Sequence, residues 1–359
     1  LVSETDALQQ TTTYTSGYTE TGRWAQVTTP GGRTTTTESN AEGQPLRITD
    51  AAGGVTLYTY DALGRLASTT TGAAAIGGQP ALNRTMTTTY DVHGRIVAVT
   101  DAAGATSTRS YDAFGRLASE SDPLGNTTVY TYDVLDRLVR VTMGANVPGE
   151  ALATAYTYDA AGRKLTMQLD PDGLNLTTQY RYTRPGSSDT WSLQEVVDAK
   201  GNVTAYSYNS LGQLAATTDA LNQTWSFSYD NLGRQTAQSD PLGRTTTYLV
   251  DALGRRTSLT LDGRSEQWAY RPDRVLAGYM DFAGRVTSFG YSPDGELTSI
   301  DYPEGTPDVS YAYDAVGNVV NMSDGLGSTT YSYDVLGQRL TRTRNGRTVS
   351  YAYTLNGQV

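Results

Sequence analysis

The sequence predicts an all-β repeat protein of about sixteen β-hairpin units that form one long antiparallel sheet. Three observations predict it. A tyrosine followed by aspartate returns every 20 to 22 residues over most of the chain. An Asp-x-x-Gly signature closes both ends of the typical unit, and the segments between are Thr-, Val- and Tyr-rich with period-two alternation.

The clearest unit runs from Tyr111 to Thr131, because Tyr132-Asp133 begins it again. The anchor position is held by Tyr18, Tyr60, Tyr90, Tyr111, Tyr132, Tyr158, Tyr182, Tyr208, Tyr229, Tyr270, Tyr291, Tyr313, Tyr333 and Tyr353, with Ser39 and Val250 as substitutes. Longer steps of 30, 26, 24 and 26 residues follow Tyr60, Tyr132, Tyr158 and Tyr182. A period that survives insertion is structural, so residues 1–359 read as a single continuous repeat region whose units contact mainly their neighbours. Leu1 and Val359 both occupy the sixth position after an anchor, as Leu117 does after Tyr111. The sequence therefore reads as a fragment of a longer polypeptide.

The residues expected to build each unit are Tyr60, Asp61, Gly64 and Arg65; Tyr90, Asp91, Gly94 and Arg95; Tyr111, Asp112, Gly115 and Arg116; and Tyr132 with Asp133. The set continues with Tyr158, Asp159 and Gly162; Tyr229, Asp230 and Gly233; Tyr313, Asp314 and Gly317; and Tyr333, Asp334 and Gly337. In a type I turn, Asp at the first position bonds nearby backbone and Gly at the fourth accepts a left-handed conformation. Asp122-Pro123-Leu124-Gly125 supplies the same chemistry at the other end of the unit, and Asp101–Gly104, Asp170–Gly173 and Asp240–Gly243 repeat it. Isolated departures occur: Asn209 and Ser292 replace Asp, and Asp136 and Arg274 replace Gly.

Between the turns, segments such as 116–120 and 127–132 are the strands. Pairs two residues apart, among them Tyr58/Tyr60, Tyr130/Tyr132, Tyr156/Tyr158, Phe227/Tyr229 and Trp268/Tyr270, share one face of a strand. Stacked from unit to unit they would form aromatic ladders, each cross-strand contact contributing about 0.2–1 kcal/mol. A sheet this long must twist and coil. Two insertions, 72–80 and 143–150, replace the Pro-Leu-Gly turn and are expected to project from one edge as candidate contact loops. A third, 184–189, extends the opposite turn.

Composition limits the function classes. Hydrophobic residues are 38% and Phe numbers only 4, so little bulky material is available for a thick core. The net charge of −10 argues against nucleic acid and anionic membrane surfaces as partners. No apolar run approaches the length of a membrane span, and the absence of cysteine removes disulfide and thiolate chemistry.

A search for catalytic or metal-binding groups returns none, and no cofactor is expected. His93, the single histidine, holds the third position of a turn where other units carry Leu, Phe or Ala. The Asp spacing is that of turns and fits neither an EF-hand loop nor a nonapeptide calcium repeat, and a residue repeated for turn-making is no sign of a glycosidase pair. Gly325-Leu326-Gly327 falls in a hairpin turn and lacks a nucleotide fingerprint. The Asn-x-Ser/Thr sequences, such as that at Asn126, read as turn Asn followed by strand Thr.

The segments Tyr60–Leu66 (YDALGRL), Tyr111–Leu117 (YDAFGRL) and Asp122–Thr128 (DPLGNTT) closely resemble the YD-repeat, or RHS-repeat, proteins. That family includes bacterial polymorphic toxins, cocoon-forming components of insecticidal toxin complexes, and animal teneurins. The resemblance implies a β-strip that spirals into a hollow shell, part of a cocoon. It further implies a secreted or cell-surface bacterial protein that encapsulates and shields a C-terminal toxin or other cargo of its own polypeptide. Neither the self-cleaving segment that ends such shells nor a toxin domain is recognisable in this chain, which reads as wall without cargo. The alternative is an extracellular adhesion or carbohydrate-binding module, whose exposed aromatic rows would contact a glycan or receptor.

Overall fold

The computed structural model describes residues 2–20, 22–76, 78–147, 149–182 and 191–359. Among them are 32 β-strands and no helix, and each strand pairs antiparallel with its neighbours in sequence. By packing the chain divides into two compact units, one of residues 1–106 with 268–359 and one of residues 107–267.

The hairpin turns explain the fixed period. At Asp61 the Gly64 N–H donates to the Asp61 carbonyl at 2.9 Å and the Asp61 N–H donates to the Arg65 carbonyl at 2.9 Å. Gly64 has φ +74°, and the strand register slips by one residue between Thr59 and Tyr60. This is a type I turn closed by a left-handed residue and a bulge, a four-residue connection that the Asp-x-x-Gly signature specifies. The same bonds recur at Asp122, where Gly125 N–H meets the Asp122 carbonyl at 3.0 Å. Asp136 and Arg274, which stand where glycine is usual, keep the left-handed conformation at φ +62° and +75°.

One turn differs from expectation. At Asp170, six residues rather than five separate the paired strand ends, Leu169 and Leu176 against Ser121 and Thr127. The extra residue is absorbed by left-handed backbone at both ends, with φ +52° at Asp170 and +51° at Asn175, and the Asp170 N–H donates to Ala153 O at 2.8 Å. Three further connections are two-residue hairpins, at Asp262-Gly263, Gly325-Leu326 and Asn345-Gly346. Asp-Gly and Asn-Gly are the sequence signal of the first and third, and Gly325 at the first loop position that of the second.

The core is as thin as the composition implies. Among the described residues the only buried hydrophobic side chains are Val55 and Ala153, joined by Ser39, Gln194 and Thr329. Stability must come from repeated polar and aromatic contacts. On the tyrosine face, Tyr58 and Tyr60 are half-buried while Thr59, pointing the other way, is exposed. That opposite face carries hydroxyl pairs across strands, including Thr59 with Ser68 at 2.7 Å, Ser110 with Ser119 at 2.8 Å and Thr157 with Thr166 at 2.6 Å.

The insertions hug the sheet. Asn146 donates to Gly125 O at 2.8 Å and accepts from the Thr127 N–H at 2.8 Å, which ties the 143–150 loop to the neighbouring turn. In the 72–80 loop, Gly72 O accepts from the Leu82 and Asn83 N–H groups at 2.9 and 3.2 Å. The expected third insertion, 184–189, lies outside the described residues.

Candidate functional site

The repeat signature builds a clasp that joins each turn to the next along one edge of the sheet. In Asp61, Asp91, Asp112, Asp133, Asp159 and Asp230 the inner carboxylate oxygen accepts two backbone N–H groups, those two and four residues ahead. The outer oxygen accepts Nε–H of the arginine four residues on, at 2.7 Å in each case. Asp314 keeps the backbone bonds and holds Asn318 in place of arginine; Asp334 accepts the Leu336 and Gln338 N–H groups.

The guanidinium then reaches the next unit. Arg65 donates to Asp91 O at 3.1 Å, Arg116 to Asp133 O at 3.1 Å, Arg137 to Asp159 O at 2.8 Å and Arg234 to Asp251 O at 2.8 Å. The same groups lie over the next anchor ring: Arg65 is 4.6 Å from the Tyr90 centroid, Arg116 4.7 Å from Tyr132 and Arg137 4.9 Å from Tyr158. Anchor hydroxyls close the clasp by donating backwards to a strand carbonyl. Tyr60 reaches Pro45 O, Tyr90 Leu66 O, Tyr132 Leu117 O, Tyr158 Leu138 O, Tyr229 Leu214 O, Tyr313 Leu297 O and Tyr333 Val319 O, at 2.6–3.0 Å.

This corrects the expected aromatic ladders. For Tyr90, Tyr132 and Tyr158 the ring faces a guanidinium instead of the next anchor ring, and among the described residues Trp268 pairs with Tyr279, 5.6 Å between centroids. Strand spacing allows Tyr to meet Arg because the bulge turns the arginine towards the following unit. Tyr111 occupies the same strand-end position, opposite Leu117.

The clasp sets its own electrostatics. The Arg65 N–H bond, reinforced by the Arg65 guanidinium, holds the Asp61 carboxyl below the usual carboxylate range, and the Arg137 guanidinium does so for Asp133. At Asp112 and Asp159 partial desolvation pushes upward, yet the arginine bonds prevail and the carboxyl still titrates low. On the sheet face, the Tyr130 hydroxyl donates to Glu120 at 2.5 Å, which pushes the phenol up to about 12.

Within the unit of residues 1–106 and 268–359, two distant lengths of strip meet turn edge to turn edge. Gly31 N–H donates to Asp294 Oδ1 at 2.7 Å. Arg33 pairs with Glu296 at 2.6 Å and Asp294 at 3.3 Å, and donates to Asp314 O at 3.1 Å. Further along, Arg84 donates to Thr354 O at 3.3 Å and Asn356 to Asp101 at 2.9 Å. Both turns at the ionic contact break the repeat rule. Thr29 stands in place of Asp, which leaves Arg33 without a local carboxylate, while the turn of Ser292 carries Glu296 where arginine is usual. Sequence reasoning noted Ser292 as an isolated loss and missed its complement. His93, Gly325 and Leu326 stay in exposed turns, and the His93 N–H is the Asp91 turn donor at 2.8 Å.

A sequence profile described as RHS Repeat matches residues 40–76, 90–127, 111–147, 191–224, 208–245, 229–266 and 313–348, more than half of the chain. The chain belongs to the RHS repeat family. A search of curated proteins finds no match. Solved structures share the fold at low identity. The TcdB2-TccC3-TEV crystal structure is 13% identical with a TM-score of 0.75, covering 99% of this chain and 22% of that one. The pore form of the Photorhabdus luminescens Tc holotoxin, carrying a TccC3 mutation, is 15% identical with a TM-score of 0.55, covering 95% and 18%. TcdB2-TccC3 without its hypervariable C-terminal region is 15% identical with a TM-score of 0.53, covering 94% and 18%. The RHS chain thus spans about a fifth of the length of these chains.

Proposed function

We propose that this RHS length is shell wall: part of a single continuous repeat region, within a longer polypeptide, that encloses a C-terminal toxin or other cargo segment. The observation that carries the reading is the seam. Two lengths of strip joined edge to edge through Gly31–Asp294, Arg33–Glu296 and Asn356–Asp101 make a wall wider than one hairpin, which a lone ribbon or a globular binding module has no need of. The thin core agrees, because a wall with two faces buries little of either. The aromatic rows favour bracing over glycan stacking, since anchor rings lie under guanidinium groups and their hydroxyls are spent on backbone carbonyls. The fold shared with Tc toxin structures supports a secreted or surface-borne bacterial protein. Electron microscopy of the full parent polypeptide tests the reading. Closed particles with internal density beyond the repeat wall support it; open arcs with free cargo reject it.

A further inference from the structure

Charges that meet directly across the ladder are matched at Arg47 and Glu38, at Arg109 and Glu120, and at Arg181 and Glu195. The hairpin of strands Arg339–Arg344 and Arg347–Ser350 departs from this, because Arg344 faces Arg347. Like charges directly opposite destabilise a sheet. Arg342 lies two residues from Arg344 on the same face, the face of Tyr331, which stands across from it. Arg344 pairs with Asp324 at 2.5 Å, while among the described residues Arg342 and Arg347 meet no carboxylate. In a chain of net charge −10, residues 335–359 hold four arginines and no acid.

Arg342, Arg344 and Arg347 line one open cleft of about 490 Å³ together with Asn345 and Val349. Across the ladder from Arg344 on its other side is Thr329, which is fully buried and whose hydroxyl has no partner. A like-charge pair and an unanswered hydroxyl on one face are both costs that an anion would offset. We propose that Arg342, Arg344 and Arg347 form a binding site for a small doubly charged oxyanion, phosphate or a phosphoryl group on a small molecule. Guanidinium forks match such oxygens with paired N–H donors. Asp324 answers one of the three positive charges, and the two that are left match a dianion. The acidic balance of the rest of the chain repels long polyanions, which keeps the ligand small. The inference rests on this hairpin alone and is independent of encapsulation.

Isothermal titration calorimetry of the full parent polypeptide with inorganic phosphate at low ionic strength is the test. Acetate at equal ionic strength is the singly charged control, and the Arg342→Gln/Arg347→Gln variant is titrated alongside. Both arginines are exposed, and unchanged circular dichroism checks that the variant folds. The expected result is a saturable heat with phosphate that acetate does not give, and an affinity about tenfold or more weaker in the variant. Phosphate should also raise the melting temperature of the parent and leave that of the variant unmoved. No saturable binding overturns the inference, as do equal heats from acetate and phosphate or binding indifferent to the substitutions. So does binding that the 359-residue chain shows and the full polypeptide lacks, which would give the guanidiniums to a carboxylate of the following strand.

Discussion

Arg33 and Glu296 are 263 residues apart in sequence and 2.6 Å apart in space. Each occupies the fourth place after the start of a turn that has lost its aspartate: Arg33 has no local carboxylate to hold, and Glu296, which also accepts from the Ser292 hydroxyl at 3.2 Å, takes the guanidinium instead. Their side chains are only 23% and 15% exposed, where an ion pair is screened less than at an open surface. Arg33→Ala removes the partner of two carboxylates at once and is expected to cost about 1–3 kcal/mol. Thermal denaturation of the double variant with Glu296→Gln provides the check: strong non-additivity is expected, and simple addition of the single effects would refute the pairing.

Gly31→Ala tests the same seam without touching charge. A Cβ there would lie 2.2 Å from Asp294 Oδ2, so the Gly31 N–H bond to that carboxylate cannot survive unmoved. Hydrogen exchange should rise at the amides of 292–296 while the turns of residues 107–267 stay protected.

The clasp gives a third prediction. Tyr132→Phe deletes the hydroxyl bond to Leu117 O but leaves the ring under Arg116, and is expected to destabilise by about 0.5–1.5 kcal/mol. Arg116→Lys should cost more, since an ammonium cannot bond Asp112 and Asp133 O in one plane while also lying on the Tyr132 ring. Equal melting temperatures for the two variants would argue against the guanidinium as the link between turns.

What the sequence made legible, and what it hid, follows from the same clasp. Period, strand segments and turn type could be read because Asp61, Gly64 and their equivalents act within four residues of one another. The tyrosine face was readable from alternation. The ring partners were not, because the bulge between Thr59 and Tyr60 re-aims the arginine, and a bulge leaves no mark beyond the glycine itself. The Arg33–Glu296 contact was hidden for another reason: it spans most of the chain, and its only trace is two complementary departures from the repeat.

Acid should expose the clasp directly. Asp61, Asp91, Asp133 and Asp230 titrate lower folded than unfolded, held chiefly by the arginine backbone N–H or guanidinium four residues on. A depressed carboxyl contributes stability above its unfolded value of about 3.9, and that contribution is lost as pH falls through the folded value. Melting temperature should therefore hold level from neutral pH to about 5 and fall steeply below about 4, as followed by circular dichroism. A fall centred near pH 6 would point to other groups.

At the alkaline end, Tyr130 should titrate late. Its folded value of about 12 lies above the ordinary phenol because ionisation would break the bond to Glu120 and set two anions together. The stability it contributes is present below about pH 10 and is lost as pH rises through 12. Phenolate absorbance of the Glu120→Gln variant should show one tyrosine moving to lower pH.

The central claim, that this RHS length is wall around an enclosed segment, is tested most directly by limited proteolysis of the full parent polypeptide with mass spectrometry of what resists. The account predicts that the repeat region and a separate C-terminal segment survive together, and that Gly31→Ala or Arg33→Ala makes the enclosed segment cleavable first. A C-terminal segment digested at once while the repeats resist would contradict it.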